Sequence, residues 1–371
     1  MLPKLETTTS FWDERMPLQK PLQELLWKVD KKKFPWSTHY HLHTIGFTTP
    51  TPVTDGQYIY AYFSHGVVTC FDLEGNRKWT QLVTDMDGED VGGNNVPSPA
   101  LTEDKLILFR GSFRALDKRS GKVVWDSGVM TQEKQGGGSL GREIIQRNCN
   151  ESVVITQIGK TKVAICFQGR MVRVSDGKVL QRKRMEGINT PSTPIVISDN
   201  IFFTDSMIRK FSMGLTTNDE VQLLPQGEVS VHPIRGMDGT AFSSVLFHDG
   251  LLYVLATIGR LYVVDAATMK VCYQQQLEMH PIFDYDACGV TASVALAGKH
   301  IYLIGDQGEG VVIEPGREFK LVAQNQIETL LRRKFIFQPQ ETITRSTPVF
   351  AGKYMYLRGE VNLYCIGPDS K

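Results

Sequence analysis

Three histidines alternate along a short stretch near the amino terminus, at His39, His41 and His43. On an extended backbone every second residue projects to the same face, so the three imidazoles would lie side by side. Imidazole nitrogens are good ligands for zinc, copper and iron. Neighbours on one face of a strand are about 7 Å apart, however, which is wide for a single ion unless the chain bends. The pattern therefore predicts either a divalent metal site or an exposed polar strand.

Three carboxylates, Asp238, Asp284 and Asp286, could supply the general acid and base of a hydrolase or a lyase. Their spacing in the sequence does not determine their separation in space. The chain has no H-E-x-x-H motif, and no catalytic triad order is recognisable. The carboxylates by themselves therefore predict no particular reaction.

Further polar residues with hydrogen-bonding side chains stand before apolar, strand-like segments along the chain. These residues are Asn95, Arg147, Asn150, Asn189, Arg235 and Arg345. They are far apart in the sequence, so they form one site with the histidines and aspartates only if the fold brings their segments together.

The composition describes a folded, turn-rich protein, with 41% hydrophobic and 22% charged residues, 33 glycines and 17 prolines among 371 residues. Lysine plus arginine (41) nearly cancels aspartate plus glutamate (40), which leaves a net charge of +1. Such a balance provides no electrostatic footprint for nucleic acid or for an anionic membrane surface. No apolar run approaches the roughly 18 residues of a membrane span. The six scattered cysteines contain no C-x-x-C motif, so neither a disulfide framework nor a zinc site is expected from them. Cys70 and Cys365 lie within apolar strand patterns, which predict buried free thiols.

The elements that must position these residues are short β-strands. Residues 51–79 read as four strands separated by tight turns, which contain Gly56, Gly66 and Gly75. Turn glycines supply the positive φ that hairpins need, and β-branched and aromatic residues fill the strands between them. Because one four-stranded sheet cannot bury both of its faces, it needs neighbours of its own kind.

Similar patterns recur, beginning near residues 97, 153, 193, 244, 293 and 347. A separation of roughly 40 to 55 residues is typical of propeller blades. We predict an all-β, seven-bladed β-propeller of four-stranded antiparallel blades, as a single domain over residues 1–371, with the repeats in 48–371. The last copy ends after three strands, so residues 24–30, which contain Trp27, are predicted to complete it and close the ring. Residues 1–23 would form an amino-terminal arm.

Eight blades are the alternative, with the extra blade in residues 131–151 or 222–238. In either case, the segments that enter the innermost strands converge on one mouth of the central channel, where propellers usually bind their ligands. The histidines, the aspartates and the other candidate residues lie in those segments. The sequence therefore predicts either a polar pocket at the channel mouth or ordinary solvated loops around it.

Residues 115–125, A-L-D-K-R-S-G-K-V-V-W, resemble the A-x-D-x-x-T-G-K-x-x-W repeat of PQQ-like β-propellers, the superfamily of quinoprotein alcohol dehydrogenases and the BamB assembly factor. In such a repeat Asp117 would accept turn hydrogen bonds, Gly121 would adopt the left-handed conformation, and Trp125 would pack against the next blade. The enzymes of the superfamily hold their quinone with an adjacent Cys-Cys pair and a tryptophan. This chain has no Cys-Cys pair and no tryptophan after Trp125.

The resemblance thus implies a non-catalytic binding or scaffold module, with no cofactor, located in the periplasm or secreted. Its expected partner is a protein, or a small molecule or saccharide at the channel mouth, and a monomer is expected. The first residues, however, contain no signal peptide. The alternative is an enzyme with a polar site at the mouth, either a divergent dehydrogenase that uses PQQ or a metal-assisted hydrolase or lyase.

Overall fold

The computed structural model describes most of the chain after residue 49. It covers residues 50–63, 66–83, 97–128, 130, 152–166, 169–182, 185, 192–231, 243–281, 283–284, 287–327, 346–359 and 362–367. All regular secondary structure within these ranges is β-strand. No helix long and apolar enough to cross a bilayer is found in this part of the chain.

The first three blades follow one another along the chain, each as a four-stranded sheet. Blade 1 contains β1 (Val53–Thr54), β2 (Tyr58–Tyr62), β3 (Val67–Asp72) and β4 (Arg77–Leu82). Blade 2 contains β5 (Ala100–Leu101), β6 (Lys105–Phe109), β7 (Phe113–Asp117) and β8 (Val123–Asp126). Blade 3 contains β9 (Val154–Ile158), β10 (Thr161–Cys166), β11 (Arg170–Arg173) and β12 (Val179–Gln181).

Blade 4 contains β13 (Ile195–Ile197), β14 (Asn200–Thr204), β15 (Met207–Leu215) and β16 (Val221–Ser230). Blade 5 contains β17 (Leu246–His248), β18 (Leu251–Leu255), β19 (Arg260–Asp265) and β20 (Lys270–Gln276). A small hairpin of β21 (Phe283–Asp284) and β22 (Ala287–Cys288) follows it. Blade 6 contains β23 (Ala295–Ala297), β24 (His300–Ile304), β25 (Glu309–Ile313) and β26 (Leu321–Gln326). Blade 7 contains β27 (Val349–Ala351), β28 (Tyr354–Arg358) and β29 (Leu363–Ile366).

The fold is a seven-bladed β-propeller, as predicted. Within each blade consecutive strands pair antiparallel, with the first strand innermost and the last at the outer rim. The sheet of blade 7 has three strands in the part of the chain that the structure describes. The predicted closing strand, residues 24–30, and one stretch considered for an eighth blade, residues 131–151, lie outside that part. Of the other stretch, residues 222–238, residues 222–230 belong to the outer strand of blade 4 and form no extra blade.

The core consists of apolar clusters between consecutive blades rather than one central core. Between blades 2 and 3, for example, Ile107 and Phe109 pack against Ala164 and Val172, and all four are fully buried. Similar clusters fill the boundaries from blade 1 to blade 7. Blades 2 to 6 thus bury both faces against their neighbours, which is the reason that the repeat needs a ring.

The turn after the third strand has the structure that the repeat predicts. In blade 2, Asp117 Oδ1 accepts the backbone N–H of Ser120 at 2.8 Å and its hydroxyl at 2.7 Å. Gly121 follows with φ of 71° and donates its N–H to the Asp117 carbonyl. In blade 5, Asp265 and Thr268 repeat the arrangement, with Oδ1 accepting the Thr268 N–H at 2.8 Å. The aspartate orders the turn, and the outer strand begins directly after it.

The outer strands β4, β8, β12, β20 and β26 each contain a register shift where they begin to pair, and in β16 the shift lies further along, between Pro225 and Gly227. In blade 2, Trp125 pairs with Ala115 and Val123 with Leu116, so Val124 is the extra residue of a β-bulge. A bulge increases the local twist and turns the following side chain toward a neighbouring surface. That following side chain is Trp125 here, and it points at blade 3.

The four cysteines whose side chains the structure describes, Cys70, Cys166, Cys272 and Cys365, are free thiols. Cys70 is buried and behaves as a small apolar residue, as its strand pattern predicts, and Cys166 is buried as well. Cys365 is different: the same interpretation assigned it to an apolar strand position, but the structure places it on the exposed side of β29. The pattern was misleading there because β29 is the last strand of blade 7 in the described chain.

Candidate functional site

A serine or threonine stands two residues before the first innermost-strand residue in all seven blades. These residues are Thr51, Ser98, Ser152, Thr193, Ser244, Ser293 and Thr347. Because the inner strands surround the central channel, the seven residues form a ring at one of its mouths. We call them the hydroxyl ring.

Members of the hydroxyl ring link neighbouring blades by hydrogen bonds. The N–H of Thr51 donates to Ser98 Oγ at 2.9 Å, and the N–H of Ser152 donates to Thr193 Oγ1 at 2.9 Å. Equivalent bonds join Ser244 to Ser293 and Ser293 to Thr347. Four hydroxyls of the ring thus accept a backbone donor that the short inner strand leaves unpaired, those of Ser98, Thr193, Ser293 and Thr347. The ring therefore fixes the spacing of the blades at the channel mouth.

Three blades add a second serine directly before the ring residue. Ser192 and Ser243 donate their hydroxyls to the carbonyls that end the second strands, Thr204 O at 2.9 Å and Leu255 O at 2.7 Å. Ser346 makes the same bond in blade 7. These serines hold each entering segment against its own blade, so the entry loops are anchored at their last residues.

The turns between second and third strands lie on the same side of the propeller as the entry loops, because the strands alternate in direction. Five charged residues at or next to these turns are buried. They are Arg110, Arg170, Asp205, Asp306 and Glu309. A buried charge is costly unless it is paired, so their partners decide what the turns can do.

Glu309 is the clearest example, with only 3% of its surface exposed. Its Oε1 accepts the backbone N–H of His280 at 2.7 Å and lies 3.2 Å from the His280 ring Nδ1. Its Oε2 accepts the backbone N–H of Gln307 at 3.0 Å. One carboxylate thus joins the segment leaving blade 5 to the turn of blade 6. Its contacts indicate a positioning role rather than a free acid or base.

Two other buried charges have similar positions. Arg170 of blade 3 donates its Nε–H to the carbonyl of Met130, in the segment that leaves blade 2, at 3.1 Å. Asp205 accepts the Met207 N–H at 2.8 Å and contacts the Arg209 guanidinium at 3.0 Å. These charges hold the turns around the channel mouth in place, so a ligand bound there would contact rigid turns. Within the described ranges no cluster of three or more histidine, cysteine, aspartate or glutamate side chains could hold a metal ion.

The predicted pocket residues lie almost entirely outside the described part of the chain. Those outside are His39, His41, His43, Asn95, Arg147, Asn150, Asn189, Arg235, Asp238, Asp286 and Arg345. Asp284 ends β21, where its backbone pairs with Ala287, but its side chain is not described. The metal site and the polar pocket therefore stay predictions.

Residues 137–141, G-G-S-L-G, match the G-x-S-x-G pattern of α/β-hydrolases by their letters. That serine is a nucleophile only on a sharp strand-to-helix turn at the end of a parallel sheet. A ring of antiparallel blades provides no such turn, and the segment lies outside the described residues. The match carries no catalytic assignment.

Sequence reasoning missed the hydroxyl ring, although its signal was present. Four ring members precede a proline, as Thr51-Pro52, Ser98-Pro99, Thr193-Pro194 and Thr347-Pro348. Each pair stands at the beginning of a repeat. The sequence shows that these residues share a hydroxyl. Only the structure shows that such a hydroxyl accepts a backbone N–H from the neighbouring blade.

Comparison with known proteins agrees with this architecture. A family model described as outer membrane protein assembly factor BamB matches residues 24–222, more than half of the chain. The crystal structure of BamB from Moraxella catarrhalis superposes with a TM-score of 0.54 and 12% identity, over 86% of this chain and 82% of that one. At that identity the superposition supports the fold alone. No curated protein sequence matches significantly.

Proposed function

This chain belongs to the family of the outer membrane protein assembly factor BamB, and from that premise we propose that it is a non-catalytic scaffold that binds a protein partner outside the cytoplasm. The family description names an assembly factor, whose work is contact with other proteins. A propeller suits this work because its rigid ring presents many strand edges and turns to a partner.

The observation that carries the proposal is the apolar outer rim of blades 2, 5 and 6. Val123 and Val124 in β8 are 48% and 51% exposed, and Leu321 and Val322 in β26 are 51% and 45% exposed. In β20, Val271 holds the position of Val123 next to the bulge. We call these five residues the rim patches. Each patch lies at a bulge, and in β8 and β26 the bulge leaves two consecutive side chains on the outside.

Exposed apolar side chains on an outer strand favour a protein partner over a small polar ligand. β26 contains neither a charged residue nor a proline, the usual devices that prevent edge strands from pairing with other chains. A partner could therefore add an extended segment along this edge and cover Leu321 and Val322. A soluble substrate would instead require a concave polar site.

A photo-crosslinking amino acid at Val124 or at Val322, introduced into the full chain in its native cell, tests the proposal. The matched control is Lys299, an exposed turn residue in blade 6 away from the rim patches. We expect one protein to crosslink from a rim position and not from Lys299. Leu321→Lys should abolish the crosslink from position 322 without lowering the melting temperature, because the side chain of Leu321 is 51% exposed. No crosslinked protein from either rim position would contradict the proposal.

The alternative, an enzyme with a polar site at the channel mouth, rests on the histidine row and the loop aspartates. Elemental analysis and an absorption spectrum of the purified protein distinguish the two functions. Stoichiometric metal, lost from the triple variant in which His39, His41 and His43 are replaced by alanine, would favour the metal-assisted enzyme. A quinone absorption band would favour a PQQ-dependent dehydrogenase.

A further inference from the structure

The outer strand of blade 6, β26, leaves alternate backbone groups open at the rim. The N–H of Ile327 donates to the Gly308 carbonyl at 2.9 Å, one step beyond the pair of Glu309 with Gln326. Because hydrogen-bonded and non-hydrogen-bonded pairs alternate along an antiparallel ladder, every second residue of β26 turns its backbone groups away from β25. Those residues are Gln324 and Gln326, and β26 has no further strand beside it in the described chain.

Two equivalent outer strands cover such an open carbonyl with a glutamine side chain. In β20, Gln275 Nε2 donates to the Gln276 carbonyl at 2.9 Å, and in β4, Gln81 Nε2 donates to the Leu82 carbonyl at 3.3 Å. The same alternation turns both carbonyls away from their sheets. The residue at this position in β26 is Asn325, whose side chain is one methylene shorter and makes no such bond within the described residues. The last carbonyl of β26 therefore stays open.

The remaining outer strands are protected in other ways. β4 begins with Arg77 and Lys78, β8 ends at Asp126, and β16 contains Pro225 and Glu228. β12 has only three residues. Charged residues, prolines and short length all discourage the addition of another strand. Among the outer strands that the structure describes, β26 thus combines open backbone groups with exposed apolar side chains and no protecting residue.

The charges around β26 are mainly acidic. The charged residues of the turn before β26 are Glu314, Arg317, Glu318 and Lys320. Ion pairs engage both cations, Lys320 with Glu314 at 3.8 Å and Arg317 with Asp265 of blade 5. An exposed glutamate of the segment that leaves blade 5 also lies beside β26, where it accepts a side-chain amide at 2.9 Å. The exposed carboxylates without a described cationic partner are this Glu278 and Glu318.

We infer that β26 is the binding edge for an extended, apolar segment of the partner that has lysine or arginine residues on both sides. Its backbone bonds to that of Gln324 and Gln326, and its apolar side chains cover the rim patch of β26. Its basic ends lie near Glu278 and Glu318. The inference rests on the proposed function for the existence of a protein partner, and it adds the edge, the backbone groups and the chemistry of the segment.

A peptide-binding experiment on the purified full chain tests the backbone contact. The probe is the fluorescent peptide K-K-T-V-T-V-K-K. Gln324→Pro removes an N–H that no described strand uses, so its melting temperature should lie within about 3 °C of that of Gln324→Ala. Gln324→Ala loses the same side chain but keeps the N–H, which makes it the matched control. The peptide should bind to the parent and to Gln324→Ala alike, and at least about tenfold more weakly to Gln324→Pro.

Two altered peptides test the chemistry of the segment without changing the protein. The acidic peptide E-E-T-V-T-V-E-E should bind to the parent about tenfold more weakly than the basic one, and the difference should shrink in 1 M salt. The basic peptide with methylated backbone nitrogens keeps its charges and should also bind about tenfold more weakly. This second comparison decides the backbone contact even if Gln324→Pro does not fold.

Equal affinity of the parent for the three peptides would overturn the inference, as would equal affinity of Gln324→Pro and Gln324→Ala for the basic one. A parent dimer that Gln324→Pro converts to monomer in analytical ultracentrifugation would also overturn it, because a second copy would then occupy the edge. The crosslink from Val322 separates this inference from the proposed function. A protein that crosslinks equally in Gln324→Pro and Gln324→Ala would contradict the inference alone. Peptide binding as expected, without any crosslinked protein, would support the inference and contradict the proposed function.

Discussion

Gly227 in β16 contacts Met269 in the turn between β19 and β20. In this pair the small residue is on the outer strand and the large residue is in the turn, the reverse of Trp79 with Gly121 and of Trp125 with Gly177. At the first two boundaries a tryptophan of the outer strand covers a glycine of the next turn. Here the glycine is on the outer strand and the large residue is in the turn, with the Cβ position of Gly227 3.2 Å from Met269 Cγ. Met269 adopts φ of 57°, which is otherwise the role of Gly121 and Gly177. The boundary between blades 4 and 5 is thus filled from the opposite side.

The reversed pair should show strong energetic coupling. Met269→Ala removes a buried side chain and should destabilise the protein by about 2–3 kcal/mol. Gly227→Ala places a methyl group against Met269 at a φ of 149° and should cost about 1–3 kcal/mol. In the double variant the methyl group has room. The loss of stability of the double variant should therefore be smaller than the sum of the two single losses. Denaturant unfolding of the four proteins measures this, and strict additivity would refute the coupling.

Gly121→Ala should be among the most damaging single-methyl substitutions in the chain. The added carbon would lie 2.5 Å from the Trp79 ring at a φ of 71°, so the indole would have to leave its site. We expect a loss of about 3 kcal/mol or more. Gly128→Ala is the matched control, because Gly128 has φ of 72° and nothing described within 4 Å, and should cost about 1 kcal/mol. Equal losses of stability in the two variants would show that backbone strain, and not the clash with Trp79, causes the loss.

The hydroxyl ring predicts a specific effect of Thr193→Val. Valine has nearly the same shape as threonine but leaves the Ser152 N–H without its acceptor, at an expected cost of about 1–3 kcal/mol. Thr193→Ser keeps the hydroxyl and should cost about half as much or less. Hydrogen exchange at the Ser152 amide should accelerate in the valine variant and stay slow in the serine variant. Equal exchange in the two variants would mean that the hydrogen bond does not order the mouth.

The boundary between blades 3 and 4 should be sensitive to acid. The outer strand of blade 3 has Gln181 where blades 1 and 2 have tryptophan. Instead, Asp219 at the tip of the long β15–β16 hairpin of blade 4 contacts Arg173 and Lys178 of blade 3, both at 3.0 Å. Arg173 also pairs with Asp176 and lowers the pKa of that carboxyl to about 2. Lys178, with Arg173, lowers the pKa of Asp219.

Because these carboxyls bind protons more weakly in the folded protein than in the unfolded chain, their stabilising effect is complete above about pH 4 and disappears as the pH falls toward 2. Asp176→Asn should therefore melt below the parent protein at pH 7 and together with it near pH 2. Melting curves in 1 M salt should reduce the difference at pH 7, since these groups are exposed. A difference that persists unchanged at pH 2 would rule out the ionic explanation.

Repeat-level features were predictable because each depends on a few adjacent residues. The turn of Asp117 and Gly121 needs only a carboxylate, a residue free to adopt positive φ and the strands on either side, all of which are local. The same holds for the four strands of blade 1. Cys365 was misplaced because its local pattern matches that of Cys70, whereas its burial depends on a neighbouring strand far away in the sequence.

The amino-acid sequence alone determined that this protein is a propeller of four-stranded PQQ-like β-blades, since hairpin turns and alternating strands are encoded within each repeat. It favoured seven blades, with eight as the alternative, and the structure has seven. It did not determine which residues of different repeats touch. Three of these contacts join positions 29 to 47 residues apart. They are the hydrogen bond from Thr51 to Ser98, the hydrogen bond from His280 to Glu309, and the packing of Gly227 against Met269. Only the tertiary structure decided these contacts, because steric fit and hydrogen bonding between blades depend on distances that are set when the ring is assembled.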